Sequence, residues 1–222
     1  MEVEPFSWTA FLQPARDFKT WAFAILFLAI TAVAYSMAFF LPIILKNGLG
    51  FSVSAALCLT AAPYAFAAIV MFIGAWAGDR FRVRSPIIAT NAILAIIGLS
   101  LMGHGPSPPV QYLGAFFVAA GANAGVLAIM AYQANNIRGQ WHRAFASATL
   151  IGIGGVGGII GAVIFPPEDA PQYLTGIWTC IALMLLILVI IATLSVYSRR
   201  QNRKADRDGV RLESHGGFRY TI

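Results

Sequence analysis

The segment from Trp21 to Leu45 reads WAFAILFLAITAVAYSMAFFLPIIL and contains no Asp, Glu, Lys, Arg or His. A helix needs about 20 mostly apolar residues to cross the hydrocarbon core of a bilayer. The segment does not show the two-residue alternation of a membrane-barrel strand. Because a chain in lipid must satisfy its backbone hydrogen bonds internally, the segment predicts a transmembrane helix.

Five further segments of the same kind follow along the chain. They are uncharged, and the links between them are short and contain helix breakers, as in GPSPP at 105–109. Short links place consecutive helices as antiparallel neighbours. The predicted fold class is therefore an all-α polytopic membrane protein with six transmembrane helices. The predicted helices are Trp21–Leu45, Ala55–Ala77, Pro86–Gly103, Val110–Gln133, Ala144–Phe165 and Tyr173–Tyr197.

The composition agrees with this fold class. Of the 222 residues, 59% are hydrophobic and only 11% are charged, and the mean hydropathy is +0.74. A soluble domain has about 45–50% apolar and about 25% charged residues, so a soluble single domain is excluded. Disorder is excluded too, since it needs low hydrophobicity and high charge. Both cysteines, Cys58 and Cys180, lie in apolar segments, which does not indicate a disulfide framework or a cysteine metal site.

The 15 basic residues are distributed unevenly between the two sides of the predicted membrane. If the N-terminus is cytoplasmic, all of them except Lys46 fall on the cytoplasmic side. An excess of Lys and Arg in cytoplasmic links is the usual topology signal, so we expect both termini in the cytoplasm. The net charge of +6 is explained by this asymmetry, and we expect no nucleic-acid partner.

The same pattern divides the chain into three parts. Residues 1–20 are a cytoplasmic juxtamembrane lead-in, residues 21–197 the transmembrane bundle and residues 198–222 a basic cytoplasmic tail. The lead-in sequence FSWTAFL at 6–12 fits a helix on the inner membrane surface, and equally an irregular lead-in. We expect the tail to be mobile, with its Arg residues either contacting anionic lipid or acting only as topology anchors.

The link between the second and third predicted helices carries the most specific local motif, GAWAGDRFRVR at 74–84. An acid at a helix end can bond exposed backbone groups and an arginine, which latches two helices in one conformation. The motif resembles the Gly-x-x-x-Asp-Arg-x-x-x-Arg signature of the major facilitator superfamily, with Ala75 at the first glycine position. A basic turn that only holds the topology is the alternative. The candidate latch residues are Asp79, Arg80, Arg84 and Arg143.

A second group of motifs narrows the resemblance. The sequence AYQANNIRGQWHRA at 131–144 is followed by a glycine-rich helix at 152–161 and by DAP at 169–171. Together with YSMAFFLP at 35–42, these motifs resemble the C-terminal half of fungal anion:cation symporters, the family of allantoate and nicotinate permeases. The resemblance covers residues 6–197.

This resemblance implies the C-terminal half of a major facilitator fold, built from two inverted three-helix repeats. It implies proton-coupled symport of small organic anions, such as a vitamin-like carboxylate or a ureide, across the plasma membrane. Such a carrier needs a titratable group and a cationic partner along its path, and the predicted helices contain neither. We therefore expect a missing N-terminal six-helix half, or a homodimer partner, to supply them. The chain also has Gly154-Gly155 where that family usually has Gly-Asn, so one buried amide is absent.

Polar side chains at mid-membrane depth are candidates for substrate binding, because they need partners or a water-filled cavity. By depth these are Tyr35 and Ser36 in the first helix, Tyr64 in the second and Asn123 in the fourth. The resemblance favours the first and fourth helices, which line the central cavity in major facilitators. Each side chain has an alternative role as a hydrogen-bond partner between helices.

Glycines four residues apart let neighbouring helices approach closely, in either a sliding or a static interface. The candidates for helix packing or gating are Gly121, Gly125, Gly154, Gly158 and Gly161.

Other function classes fit the sequence less well. A rhomboid-like protease needs a Gly-x-Ser-Gly serine and a histidine inside a helix, and a water channel needs two Asn-Pro-Ala motifs; the sequence has none of these. We predict no enzyme activity and no cofactor or metal, since the three histidines lie apart in links and the tail. The remaining alternative is a truncated, non-transporting remnant that pairs with or regulates a full-length transporter.

Overall fold

The computed structural model of the protein describes residues 8–47, 52–169, 173–208 and 218–221. These residues form seven α-helices and two short 3₁₀ segments, without a strand. Six of the helices are long and apolar enough to cross a membrane, which confirms the predicted fold class. The helices are α1 (Trp8–Leu12), α2 (Phe18–Asn47), α3 (Val53–Phe81), α4 (Ser85–His104), α5 (Pro108–Asn136), α6 (Gln140–Gly161) and α7 (Leu174–Asp208).

The two triplets of long helices, α2–α4 and α5–α7, pack as a symmetrical pair. The first helices of the triplets, α2 and α5, contact each other, and so do the third helices, α4 and α7. α6 packs on α2 as α3 packs on α5, and α7 packs on α2 as α4 packs on α5. Exchanging the triplets leaves these contacts unchanged, whereas the contact between α2 and α3 has at most a weak counterpart between α5 and α6. Since each triplet crosses the membrane an odd number of times, the second is inverted relative to the first.

The fifth long helix ends earlier than predicted. α6 stops at Gly161, and the chain then turns instead of continuing as helix to Phe165. The turn places the Phe165 side chain inside the bundle, only 1% exposed, with its ring centroid 5.2 Å from that of Phe40. The prediction of a helix to Phe165 is wrong because burial of this ring, followed by two prolines, outweighs the apolar character of the segment.

The sixth long helix continues beyond its predicted end. α7 runs from the apolar segment through Tyr197 to Asp208 without interruption. Residues 198–208 contain no Gly or Pro, so the helix can continue beyond its apolar part. Residues 198–208 of the predicted tail are therefore helical.

Glycines make the closest contacts between α2 and α6. A Cβ on Gly157 would collide with the Thr31 hydroxyl and the Leu28 carbonyl oxygen, and a Cβ on Gly161 would lie within 3.0 Å of the Ser36 nitrogen. The absence of side chains lets the two backbones touch. All the predicted packing glycines face a neighbouring helix in the structure, namely Gly121, Gly125, Gly154, Gly158 and Gly161.

The contact between α4 and α5 uses two further glycines besides the predicted Gly121. A Cβ on Gly98 would lie 2.6 Å from the Val118 nitrogen, and a Cβ on Gly114 would lie 2.8 Å from the Met102 nitrogen. Gly98 and Gly114 face each other across two helices, so no four-residue spacing within one helix identifies them.

One end of the bundle, where α2, α4 and α6 begin and α3, α5 and α7 end, carries most of the basic residues and is called the basic end below. The lead-in helix α1 packs there against α6, with the Phe11 ring centroid 5.4 Å from that of Phe145. Phe6 and Ser7 of the lead-in and residues 170–171 of the DAP motif lie outside the described residues.

Candidate functional site

A cavity of about 510 Å³ lies between α2, α3, α5 and α6. It forms because α3 packs mainly on α5 and α6 mainly on α2, which leaves a cleft between the two outer helices. A volume of this size is in the range that holds small-molecule ligands. The lining residues are Phe27, Thr31, Ala34, Tyr35, Ala38, Tyr64, Asn123, Val126, Ile151, Gly154 and Gly155.

Three of the four predicted substrate-binding residues line this cavity. Tyr35 of α2 is 49% exposed and Asn123 of α5 is half-buried, with its Nδ2 donating to the Ala119 carbonyl oxygen at 2.8 Å. The Tyr64 hydroxyl of α3 is buried and has no hydrogen-bond partner among the described residues. A buried hydroxyl without a partner costs free energy unless a ligand or water satisfies it. The cavity therefore brings together three polar side chains from three helices, one of which needs a partner.

Ser36, the fourth predicted residue, lies elsewhere. Its side chain is 0% exposed, its Oγ donates to the Val33 carbonyl oxygen at 2.9 Å, and it lies 3.6 Å from the Cys180 sulfur on α7. Each residue turns the helix by about 100°, and this turn beyond the lining residues Ala34 and Tyr35 carries the Ser36 side chain away from the cavity and toward α7. Ser36 therefore lies at the contact between α2 and α7 and does not line the cavity.

Thr31 lines the cavity, although the sequence analysis did not select it. Its hydroxyl lies 2.7 Å from the Phe27 carbonyl oxygen and 2.9 Å from the Gly154 carbonyl oxygen across the interface with α6. The available signal was its spacing of four residues from Tyr35, which places both on one helix face.

The wall of the cavity is otherwise apolar and uncharged. No Asp, Glu, Lys, Arg or His lines it among the described residues. A Cβ on Gly155 would meet nothing within 4 Å, so this position leaves open space at the surface of α6. The site can therefore offer two phenol groups, a hydroxyl and a carboxamide to a ligand, together with apolar contacts.

The candidate latch residues are only partly brought together. Arg84, at the start of α4, forms an ion pair with Asp79 near the end of α3, and its guanidinium lies against Gly78. Arg80 is exposed, and Arg143 on α6 donates to the Ala134 carbonyl oxygen at 3.3 Å. The structure thus shows one ion pair across the break between α3 and α4, while Arg80 and Arg143 lie outside it.

We expect Asp79→Asn to lower the melting temperature of the protein in detergent by at most about 2–4 °C. The change leaves the Arg84 side chain, 11% exposed, without its counter-charge. Asp79 is 73% exposed and therefore well screened, so the loss should be no more than about 1 kcal/mol, which corresponds to that shift in a chain of this size.

Circular dichroism on heating gives this melting temperature. Arg80→Gln is the control, because Arg80 is exposed and lies outside the ion pair. An equal decrease for both variants would show that the Asp79–Arg84 ion pair does not stabilise the fold.

A comparison with known proteins shows to which family the chain belongs. The sequence model of the Major Facilitator Superfamily matches residues 4–215, which is nearly the whole chain. The chain belongs to the major facilitator superfamily. Its six helices accordingly form half of a major facilitator fold, and the cavity lies on the face where α2, α3, α5 and α6 meet.

Several curated fungal major facilitators are similar to the chain. The high-affinity nicotinic acid transporter of Saccharomyces cerevisiae is 28% identical over 202 residues, which cover 90% of this chain and 38% of that protein. The major facilitator-type transporter hxnP of Emericella nidulans is 31% identical, over 88% of this chain and 40% of that protein. The transporter cnsO of Penicillium expansum is 32% identical, over 90% and 39% respectively. No solved structure matches the chain.

The chain therefore spans about two fifths of the length of these curated relatives, as their covered shares show.

Proposed function

We propose that this bundle is the C-terminal half of a proton-coupled transporter for small organic anions, and that the cavity is one wall of the substrate pathway. The observation that carries the proposal is the convergence of Tyr35, Tyr64 and Asn123 on one cavity, with the Tyr64 hydroxyl buried and unpaired among the described residues. Hydrogen-bonding groups in an apolar, partly enclosed space suit a small polar ligand.

The similarity to a nicotinic acid transporter supports an aromatic carboxylate as the class of substrate. The two phenol groups can donate hydrogen bonds to a carboxylate, and the Phe27, Val126 and Ile151 side chains can contact a small ring. A neutral wall cannot balance the charge of an anion, so a cationic group must come from a second bundle that faces the cavity. The proposal therefore assigns charge neutralisation and proton coupling to that second bundle, in a separate N-terminal half or a second copy.

We also propose an orientation of the bundle in the membrane. The basic end would face the cytoplasm, with both termini on that side and the protein in the plasma membrane. The asymmetric distribution of Lys and Arg supports this orientation.

Uptake of labelled nicotinate tests the proposed function. The chain would be expressed in yeast cells that lack their own nicotinate transporter, either alone or with a complementary six-helix bundle. That bundle comes from the part of the Saccharomyces cerevisiae transporter that this chain does not match. We expect uptake only when both polypeptides are present, and we expect a protonophore to abolish it.

Membrane insertion of each polypeptide is verified by immunoblotting of washed membranes. Uptake by the chain alone would contradict the assignment as a half. Absence of uptake with both polypeptides inserted would contradict transport and favour the non-transporting remnant. The observation that supports this alternative is that no charged residue among those described lines the cavity.

A further inference from the structure

Four residues near the end of the chain, Phe218–Thr221, return to the basic end of the bundle. They follow the end of α7 at Asp208 and have no regular secondary structure. Nevertheless, Tyr220 is only 7% exposed, which is less than most side chains of the transmembrane helices. This short segment is therefore packed into the fold.

Two asparagine side chains bind the backbone of two consecutive residues of the segment. Asn202 of α7 accepts a hydrogen bond from the Tyr220 nitrogen at 2.9 Å and donates to the Tyr220 carbonyl oxygen at 2.9 Å. Asn136, the last residue of α5, accepts from the Thr221 nitrogen at 2.8 Å and donates to the Thr221 carbonyl oxygen at 3.3 Å. A carboxamide has both an acceptor and a donor, so it can replace the pairing that a neighbouring strand would give. This arrangement recognises a backbone, as peptide-binding sites do.

Side chains anchor the same segment at three further points. Lys19, near the start of α2, donates from its Nζ to the Tyr220 hydroxyl at 3.0 Å and is itself only 7% exposed. The Arg138 guanidinium lies 5.0 Å from the centroid of the Phe218 ring, in the range of a cation–π contact. Arg219 pairs with Asp206 of α7 at 2.7 Å. The hydroxyl, the aromatic ring and the charge each have a matching group on the bundle, which makes the site selective for this sequence.

We propose that the basic ends of α2, α5 and α7 form a peptide-binding site whose occupant is the chain's own Phe218–Thr221 segment, and that this segment clamps the three helices together. α2 and α5 carry the cavity residues Tyr35 and Asn123. The clamp therefore restrains, at one end, two of the four helices that line the cavity. Because the contacts are hydrogen bonds and ring contacts at a wet end of the bundle, the segment can leave without disturbing the apolar core. Docking itself does not depend on whether the protein transports anything.

Thiol labelling of a probe cysteine tests the clamp on the full chain in open membranes. The probe is Thr221→Cys in a Cys58→Ser background, and the reagent is a water-soluble maleimide. We expect Asn202→Ala to raise the labelling rate of the probe about tenfold, because both described hydrogen bonds of Asn202 go to the segment. Asn135→Ala is the matched control, since this asparagine adjoins Asn136 on α5 and its side chain makes no hydrogen bond to the described residues, and it should leave the rate unchanged.

The native Cys180, which is 0% exposed on α7, reports on folding in the same experiment. It should stay unlabelled in every variant, so that a change at the probe cannot arise from an unfolded bundle. A second variant, Asn136→Cys combined with Thr221→Cys and Cys58→Ser, should form a disulfide within one chain on mild oxidation. Equal labelling rates in the parent, Asn202→Ala and Asn135→Ala, or disulfides only between chains, would overturn the proposal.

Discussion

Tyr64→Phe is expected to reduce nicotinate uptake by the assembled transporter about tenfold or more. The Tyr64 hydroxyl is buried at the cavity and has no partner among the described residues, so the proposal assigns it to the substrate carboxylate. A hydrogen bond to a charged group contributes about 1.5–3 kcal/mol, and about 1.4 kcal/mol corresponds to a factor of ten. The change removes one oxygen atom and leaves the apolar ring in place. The initial rate of uptake at low nicotinate concentration measures the effect.

Tyr112→Phe is the matched control for this prediction. The Tyr112 hydroxyl donates to the Leu59 carbonyl oxygen at 2.8 Å, which links α5 to α3, and Tyr112 does not line the cavity. Its removal costs about 1 kcal/mol of stability and should leave uptake close to the parent rate once expression is equalised. Equal losses in the two variants would show that a tyrosine hydroxyl matters only for helix packing, and would count against the cavity assignment.

Gly157→Ala is expected to lower the free energy of unfolding by about 1–3 kcal/mol, the usual cost of overpacking. The new Cβ would collide with the Leu28 carbonyl oxygen, which is backbone and cannot move without separating α6 from α2. It would also collide with the Thr31 hydroxyl, which lines the cavity. Chemical unfolding in mixed micelles, followed by circular dichroism, measures this free energy.

Gly155→Ala is the control for that substitution. Gly155 lies on the same helix, and a Cβ there would meet nothing within 4 Å. The exchange should be neutral or should stabilise the helix by up to about 1 kcal/mol, since glycine is the poorer helix former. If Gly157→Ala were as harmless as Gly155→Ala, the close approach of α2 and α6 would be wrong.

The six helices could be predicted from the sequence because the signal is local. Each apolar segment must satisfy its own backbone in lipid, and hydropathy along the chain shows where such a segment lies. Helix ends were less predictable, because charge marks the end of the apolar part and not the end of the helix. α7 therefore continues past Tyr197. α6 ends at Gly161, and the buried Phe165 lies in the turn that follows.

The sequence predicts at which depth in the membrane the cavity residues lie. It does not predict on which face of a helix each of them lies. Tyr35 and Ser36 lie at the same depth, but the helix that carries them is apolar on every side, so its sequence does not show which face meets the cavity. Ser36 consequently proved to face α7, and Thr31 was missed. Pairings between distant parts of the chain, such as Gly98 with Gly114, follow from helix packing and have no local signal in the sequence.

Substrate protection of a cavity cysteine tests whether the cavity is one wall of the substrate pathway. Ala38 lines the cavity and is exposed, so Ala38→Cys in a Cys58→Ser background places a small probe there without removing a polar group. The labelling rate with a water-soluble thiol reagent is measured in the assembled transporter, with and without nicotinate. Glu168→Cys, at an exposed position outside the cavity, is the control.

We predict that nicotinate at about nine times its dissociation constant slows labelling of Ala38→Cys about tenfold, by mass action, and leaves labelling of Glu168→Cys unchanged. Labelling of Ala38→Cys at the same rate with and without nicotinate, in a transporter that takes up nicotinate, would show that the cavity is not part of the substrate pathway.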